Sequence, residues 1–112
     1  MKIAIVAEGE DLQSYVADDF GRAPFILVVD SETKEVEAVP NEHQDAAQGV
    51  GMLVAEKIVS LDVNAAIVGG IGHHGYDILS KAGLRVSFDE EGSAEEALGN
   101  FLRRLEFESR FQ

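Results

Sequence analysis

Cysteine is absent from the 112 residues. That excludes disulfides, zinc–thiolate centres and thiolate nucleophiles. Any iron–sulfur group would have to be held by imidazole, carboxylate, backbone or its own bridging ligands. Cations are scarce as well: 9 Lys and Arg stand against 21 Asp and Glu, a formal net charge of −12. Nucleic-acid binding draws most of its affinity from Lys and Arg neutralising phosphates, so this balance argues against it, and equally against docking on an anionic membrane. Long hydrophobic runs are missing too. The opening MKIAIVAEGED carries an apolar stretch far too short for a signal peptide or a membrane span, and a cytoplasmic protein is the expectation. We find no internal repeat and no low-complexity linker, so one domain over residues 1–112 is expected. The 46% hydrophobic share is that of a globular chain rather than a disordered one.

KIAIV (2–6) and FILVV (25–29) are short continuous apolar runs rich in β-branched residues, the pattern of strands buried on both faces. EVEAV (35–39) alternates and stops at Pro40, as an outer strand would. The connection DSETK (30–34) is short enough for a hairpin, which makes strands two and three antiparallel. The rhythm then changes. Val50, Leu53, Val54, Ile58 and Leu61 fall at helical spacing, AAIVGG (65–70) reads as a buried strand running into glycines, and Tyr76, Ile78, Leu79 and Ala82 mark a second helix closed by Gly83. LRVSF (84–88) is an edge strand with Leu84, Val86 and Phe88 on one face. Ser93-Ala-Glu-Glu96 is a capping box, and Ala94, Ala97, Leu98, Phe101, Leu102 and Leu105 follow it on one helical stripe.

Three helical crossovers or caps among five strands give the order β-β-β-α-β-α-β-α. Helical crossovers require parallel, right-handed connections. A five-stranded mixed sheet ordered 3-2-1-4-5, with strand 2 antiparallel and three helices, satisfies both the hairpins and the crossovers. This α/β arrangement is ribonuclease-H-like. Open α/β sheets bind ligands beyond the strand ends where connections diverge. That edge gathers loop 7–24, loop 40–49 and the turn Gly69-Gly70-Ile71-Gly72-His73-His74.

Gly69, Gly70 and Gly72 allow close backbone approach, and the free N–H groups at the following helix start suit an anion; such turns also serve simply as tight strand–helix joints. The turn is neither a Walker loop nor a complete dinucleotide fingerprint. His73 and His74 are adjacent, so on regular backbone they diverge: one can meet a ligand while the other faces solvent, or both are merely exposed. His43 lies in a polar loop and is either a third metal ligand or a surface residue. Arg22, between Gly21 and Ala23, presents a planar guanidinium suited to a carboxylate, phosphate or cluster-borne anion, or else pairs with a nearby acid. Glu8, Glu10, Asp11, Asp18 and Asp19 form a solvated acidic surface whose spacing matches no EF-hand.

MKIAIV, FGRAPFILVVD, AAIVGGIG and the terminal AEEAL helix, in this order over nearly the whole chain, resemble the dinitrogenase iron–molybdenum cofactor biosynthesis family, which includes NifX-like carriers. The resemblance implies the same fold and a non-enzymatic binding or carrier protein for an iron–sulfur or iron–molybdenum-type cofactor precursor. It implies metal-cofactor assembly proteins as partners; a monomer or weak homodimer is the expectation for the chain itself. The resemblance places Phe20, Gly21, Arg22 and Ala23 in one site loop and Gly69, Gly70 and Gly72 in the other. Two departures stand out. Asp19 occupies the position before Phe-Gly-Arg where His is common, and His73-His74-Gly75 follows Gly-Gly-Ile-Gly. Either the ligand set has moved to His73 or His74, or cluster binding is lost and the crevice serves as a small-anion-binding or protein-interaction module. A metal-dependent nuclease on this fold would need carboxylates around strand one, and Ile3-Ala4-Ile5-Val6 has none.

Overall fold

The computed structural model describes residues 1–111. Its elements are β1 (Lys2–Ala7), β2 (Phe25–Asp30), β3 (Val36–Pro40), α1 (Val50–Ser60), β4 (Ala65–Ile67), α2 (His73–Lys81), β5 (Arg85–Ser87) and α3 (Ala94–Ser109). The five strands form one sheet in the order β3-β2-β1-β4-β5. β1 pairs antiparallel with β2 (Ile3 opposite Val29, Ile5 opposite Leu27) and parallel with β4 (Ile3 opposite Ala65, Ile5 opposite Ile67). The outer pairs are β2–β3, antiparallel, and β4–β5, parallel. The expected topology is the observed one.

The apolar run of β1 is explained by its central place, because successive side chains of a strand point to opposite faces and here both faces are covered. Ala4 and Val6 pack with Ile26, Ala66 and Val68 against Val54 and Ile58 of α1 and Leu79 of α2. Ile3, Ile5 and Ala7 pack with Leu27, Val29 and Ile67 against Ala94, Ala97, Leu98 and Phe101 of α3. Two cores thus sandwich one sheet. Each fully buried Ile, Leu or Phe contributes about 1.5–3 kcal/mol.

Element ends differ from the sequence expectation by a residue or two. β3 runs through Pro40, which is paired opposite Phe25 on the outer edge of the sheet, where a missing N–H costs no ladder bond. The β2–β3 hairpin is closed by Asp30, whose Oδ1 accepts the amides of Glu32 at 2.9 Å and Thr33 at 3.3 Å. Those two bonds hold the Asp30 carboxyl below its usual range. β4 leaves the ladder after Ile67, and the amide of Val68 instead reaches the carbonyl of Ser87 at 2.9 Å.

The capping box of α3 is complete: Ser93 Oγ accepts the Glu96 amide at 3.1 Å and Glu96 Oε1 accepts the Ser93 amide at 3.1 Å. Beyond Leu105 the helix runs past its packing surface. Phe107 and Phe111 are 62% and 75% exposed and lean on each other, ring centroids 5.0 Å apart. They do not cover the domain. Glu108 ties this end to Arg85 of β5 through an ion pair. No helix among the described residues is long and apolar enough to cross a membrane.

Candidate functional site

After β1 the chain turns back on itself. Glu8 donates to the carbonyl of Tyr15 at 2.9 Å and Ala17 to that of Val6 at 3.1 Å, which lays Val16 beside Ala7. The next residues meet the turn after β4: the Gly70 amide donates to the carbonyl of Asp18 at 2.7 Å, and Phe20 donates to the carbonyl of Gly70 at 3.0 Å. This contact is the reason for Gly69, since a Cβ there would lie 2.3 Å from the carbonyl oxygen of Ala17.

Phe20, Gly21 and Ala23 point into the protein. Phe20 is 2% exposed, and Ala23 is fully buried. Gly21 backs onto the start of α1, where a Cβ would come within 2.7 Å of Val50 Cγ1. They are packing residues that set the loop in place. Arg22 alone in this quartet presents its side chain outward. Its Nη1 donates to the carbonyls of Gln44 at 2.6 Å and Ala46 at 3.0 Å. The guanidinium therefore engages the 41–49 loop through backbone oxygens, and no carboxylate among the described residues pairs with it.

The same loop is anchored by Asn41, which belongs to none of the motifs singled out in the sequence. It is 2% exposed, and its Nδ2 donates to the carbonyls of Gly21 at 3.0 Å and Ala23 at 2.8 Å. Its Oδ1 accepts the amide of His43 at 3.0 Å. The one available signal was its place after Pro40 at a strand end, where an Asn side chain readily stands in for backbone.

Two helices begin at this edge. Gly49 caps α1 in the left-handed region at φ 68°, and Gly72 caps α2 in extended backbone. Neither helix start has a side-chain cap or an acidic residue in its first turn, in contrast with Ser93 and Glu96 on α3. Their first amides lack intrahelical acceptors and carry the positive end of the helix dipole. The two starts abut: a Cβ on Gly75 would stand 3.4 Å from the carbonyl oxygen of Gly51 and 3.3 Å from Phe20 Cε2. The three segments expected at this edge converge there: the 69–74 turn meets residues 18–20, and the 41–49 loop meets residues 21–23.

His73 and His74 are both exposed at the start of α2, ring centroids 5.6 Å apart and planes tilted by 56°. His43 is half-buried, and its Nε2 lies 3.7 Å from Glu42 Oε1. Among the described residues no three His, Asp or Glu side chains are grouped to hold a metal ion. His73 lines an apolar cleft of about 270 Å³ with Ile71, Gly72, Tyr76 and Phe88. Tyr76 and Phe88 meet edge-on at 5.7 Å and are 40% and 51% exposed. On the other side of the glycine turn, Asp18, Gly70, Asp89, Glu90 and Glu91 line an acidic hollow of about 260 Å³. One turn into α2, Asp77 is held below its usual range, first by the hydrogen bond from Lys81 and then by that residue's charge.

The model of the dinitrogenase iron-molybdenum cofactor family matches residues 1–104. The chain belongs to this family. Among solved structures it resembles the apo form of the orange protein from Desulfovibrio gigas, 33% identical, with a TM-score of 0.86 over 91% of this chain and 87% of that one. It also resembles a putative NifB protein from Thermotoga, 35% identical, with a TM-score of 0.76 over 91% and 87% of the two chains. An uncharacterised protein of Methanocaldococcus jannaschii is 30% identical over 105 residues, 91% of this chain and 86% of its own. All three converging segments fall within the part that matches the dinitrogenase cofactor family, whereas Phe107 and Phe111 lie beyond it.

Proposed function

We propose that this chain is a non-enzymatic, cytoplasmic carrier that binds an iron–sulfur or iron–molybdenum-type cofactor precursor as cargo and passes it to metal-cofactor assembly proteins. The carrying observation is electrostatic. In a chain of net charge −12, two helix starts without side-chain caps or first-turn acids abut behind Phe20 and Gly21, the residues that lead into Arg22. Each helix start favours an anion by about 0.3–1 kcal/mol, and a guanidinium adds charge-assisted bonds. An anionic sulfur-bridged cluster suits such a place without needing thiolates. Arg22, the backbone of Gly72 and the His73 imidazole are the groups that would hold it, with His74 and His43 as further metal ligands, while Gly70, its amide bonded to the Asp18 carbonyl, fixes the turn. Membership of the dinitrogenase cofactor family supports this reading, as does a relative whose structure is named as an apo form.

One observation favours a second reading. The three histidines and the carboxylates form no three-ligand metal group among the described residues, which suits a small anion held without metal. Anaerobic addition of ferrous iron and sulfide, followed by desalting and absorption spectroscopy, separates the two. A brown complex that co-elutes with the protein is expected. A colourless protein whose Gly70, Gly72 and Arg22 amide signals move with phosphate would establish the anion-binding module instead.

A further inference from the structure

We infer that Asn41 is the positioning residue of the crevice, acting through Arg22. The inference rests on the carrier reading above for its consequence, but its geometry stands apart from it. Asn41 is the one buried polar residue among the described residues. A buried carboxamide must find partners for its donors and acceptor, and each partner it finds here is backbone of the crevice loops. Its Nδ2 bonds to the carbonyls of Gly21 and Ala23 clasp Arg22 from both sides along the chain. Its Oδ1 bond to His43 begins the turn that carries Gln44 and Ala46, the residues whose carbonyls accept from Arg22 Nη1. The amide of Asn41 adds a further bond to the carbonyl of Pro24 at 2.9 Å. One side chain thus fixes both the backbone that bears the guanidinium and the backbone that receives it. Without it, Arg22 would lose the preorganisation that makes an arginine fork selective for an anion.

The test begins with the Arg22 side-chain N–H signals in nuclear magnetic resonance of the intact protein. In the wild type they are expected to be resolved and to exchange with solvent more slowly than those of an unrestrained arginine, measured on N-acetylarginine amide in the same buffer. Equally fast exchange overturns the inference. In Asn41→Ala, and in Asn41→Asp, which keeps the volume and the acceptor but removes the amide donors, the Arg22 signals should collapse toward those of N-acetylarginine amide. Retention of ferrous iron and sulfide should weaken about tenfold in either variant. Combined with Arg22→Ala, the Asn41 substitution should cause no further loss. Fully additive losses, or unchanged Arg22 signals in a folded variant, overturn the positioning role. A wild-type protein that retains no iron sulfide defeats the carrier reading alone, because the Arg22 signals still decide the role of Asn41.

Discussion

Phe20 donates its amide to the carbonyl of Gly70 at 3.0 Å. Through this bond and the parallel bridge between Asp19 and Gly70, the loop after β1 becomes an extra, partial rung beyond the end of β4. Residues 50 apart in sequence are thereby held in one rigid edge, with α1 and α2 starting immediately behind it. The two glycine-bearing segments that resemble the cofactor family are a single structural unit. Its outer surface carries Arg22, His73 and His74 together with the exposed carboxylates of Asp18 and Asp19.

That unit depends on close approach at Gly69. Gly69→Ala would place a methyl 2.3 Å from the carbonyl oxygen of Ala17, so strand end or loop must shift. We expect a loss of roughly 1–3 kcal/mol by urea denaturation. Gly72→Ala, with nothing within 4 Å of the new methyl, should cost less than about 1 kcal/mol. Equal losses at the two positions would show that the contact with Ala17 is not tight.

His73 and His74 separate ligand from bystander. Both are exposed, so either alanine variant should change stability by less than about 0.5 kcal/mol. Only His73 lines the apolar cleft. His73→Ala is expected to weaken retention of ferrous iron and sulfide about tenfold, and His74→Ala to do less. Unchanged retention in both variants, with unaltered circular dichroism, would move the metal-facing side of the crevice elsewhere.

Arg22→Lys keeps the charge but loses the fork. One nitrogen, Nη1, spans the carbonyls of Gln44 and Ala46 and leaves Nη2 and Nε for cargo, whereas an ammonium has one nitrogen for both tasks. Retention should fall about tenfold, and its dependence on salt concentration should change little. A wild-type affinity in this variant would mean that only net charge matters at the site.

The cap of α3 gives a stability test with a defined pH sign. Ser93→Ala removes the acceptor of the Glu96 amide and should cost about 1 kcal/mol near neutrality. The Glu96 carboxyl is held below the usual glutamate range by its bonds from Ser93, the backbone amide first. A depressed folded pKa means that its contribution is full above the unfolded pKa and is lost as acidification passes through the folded one. The Tm gap between wild type and Glu96→Gln should therefore narrow as pH falls from about 5 toward 3. A gap that widens on acidification would contradict the assigned bonding.

One helix offers the same residue type in two settings. Phe101 is 2% exposed under the sheet, and Phe101→Ala should cost about 3–5 kcal/mol. Phe107, 62% exposed, should tolerate serine within about 0.5 kcal/mol. Comparable losses would mean that the end of α3 is covered in solution.

Strand identities, their order and the three helices were readable from the chain alone because each rests on local signals. The unbroken apolar run of Ile3 to Val6 reports burial on both faces, the short 30–34 connection forces a hairpin, and Ser93 with Glu96 closes a cap within one turn. Handedness then leaves one economical sheet, whose edge brings loop 7–24, loop 40–49 and the Gly69–His74 turn together. The tertiary structure alone decided what each residue does at that edge. Phe20, Gly21 and Ala23 share a motif with Arg22, yet they face the core while it faces out, because the Gly70 carbonyl and Val50 fix the loop from behind. Arg22 was expected to meet an acid or an anion; its partners here are the carbonyls of Gln44 and Ala46. Every residue owns a carbonyl, so no residue type advertises such an acceptor. Asn41 shows in the sequence only by its place after Pro40, for the same reason: its partners are backbone groups about 20 residues away, which only folding brings within reach of its carboxamide.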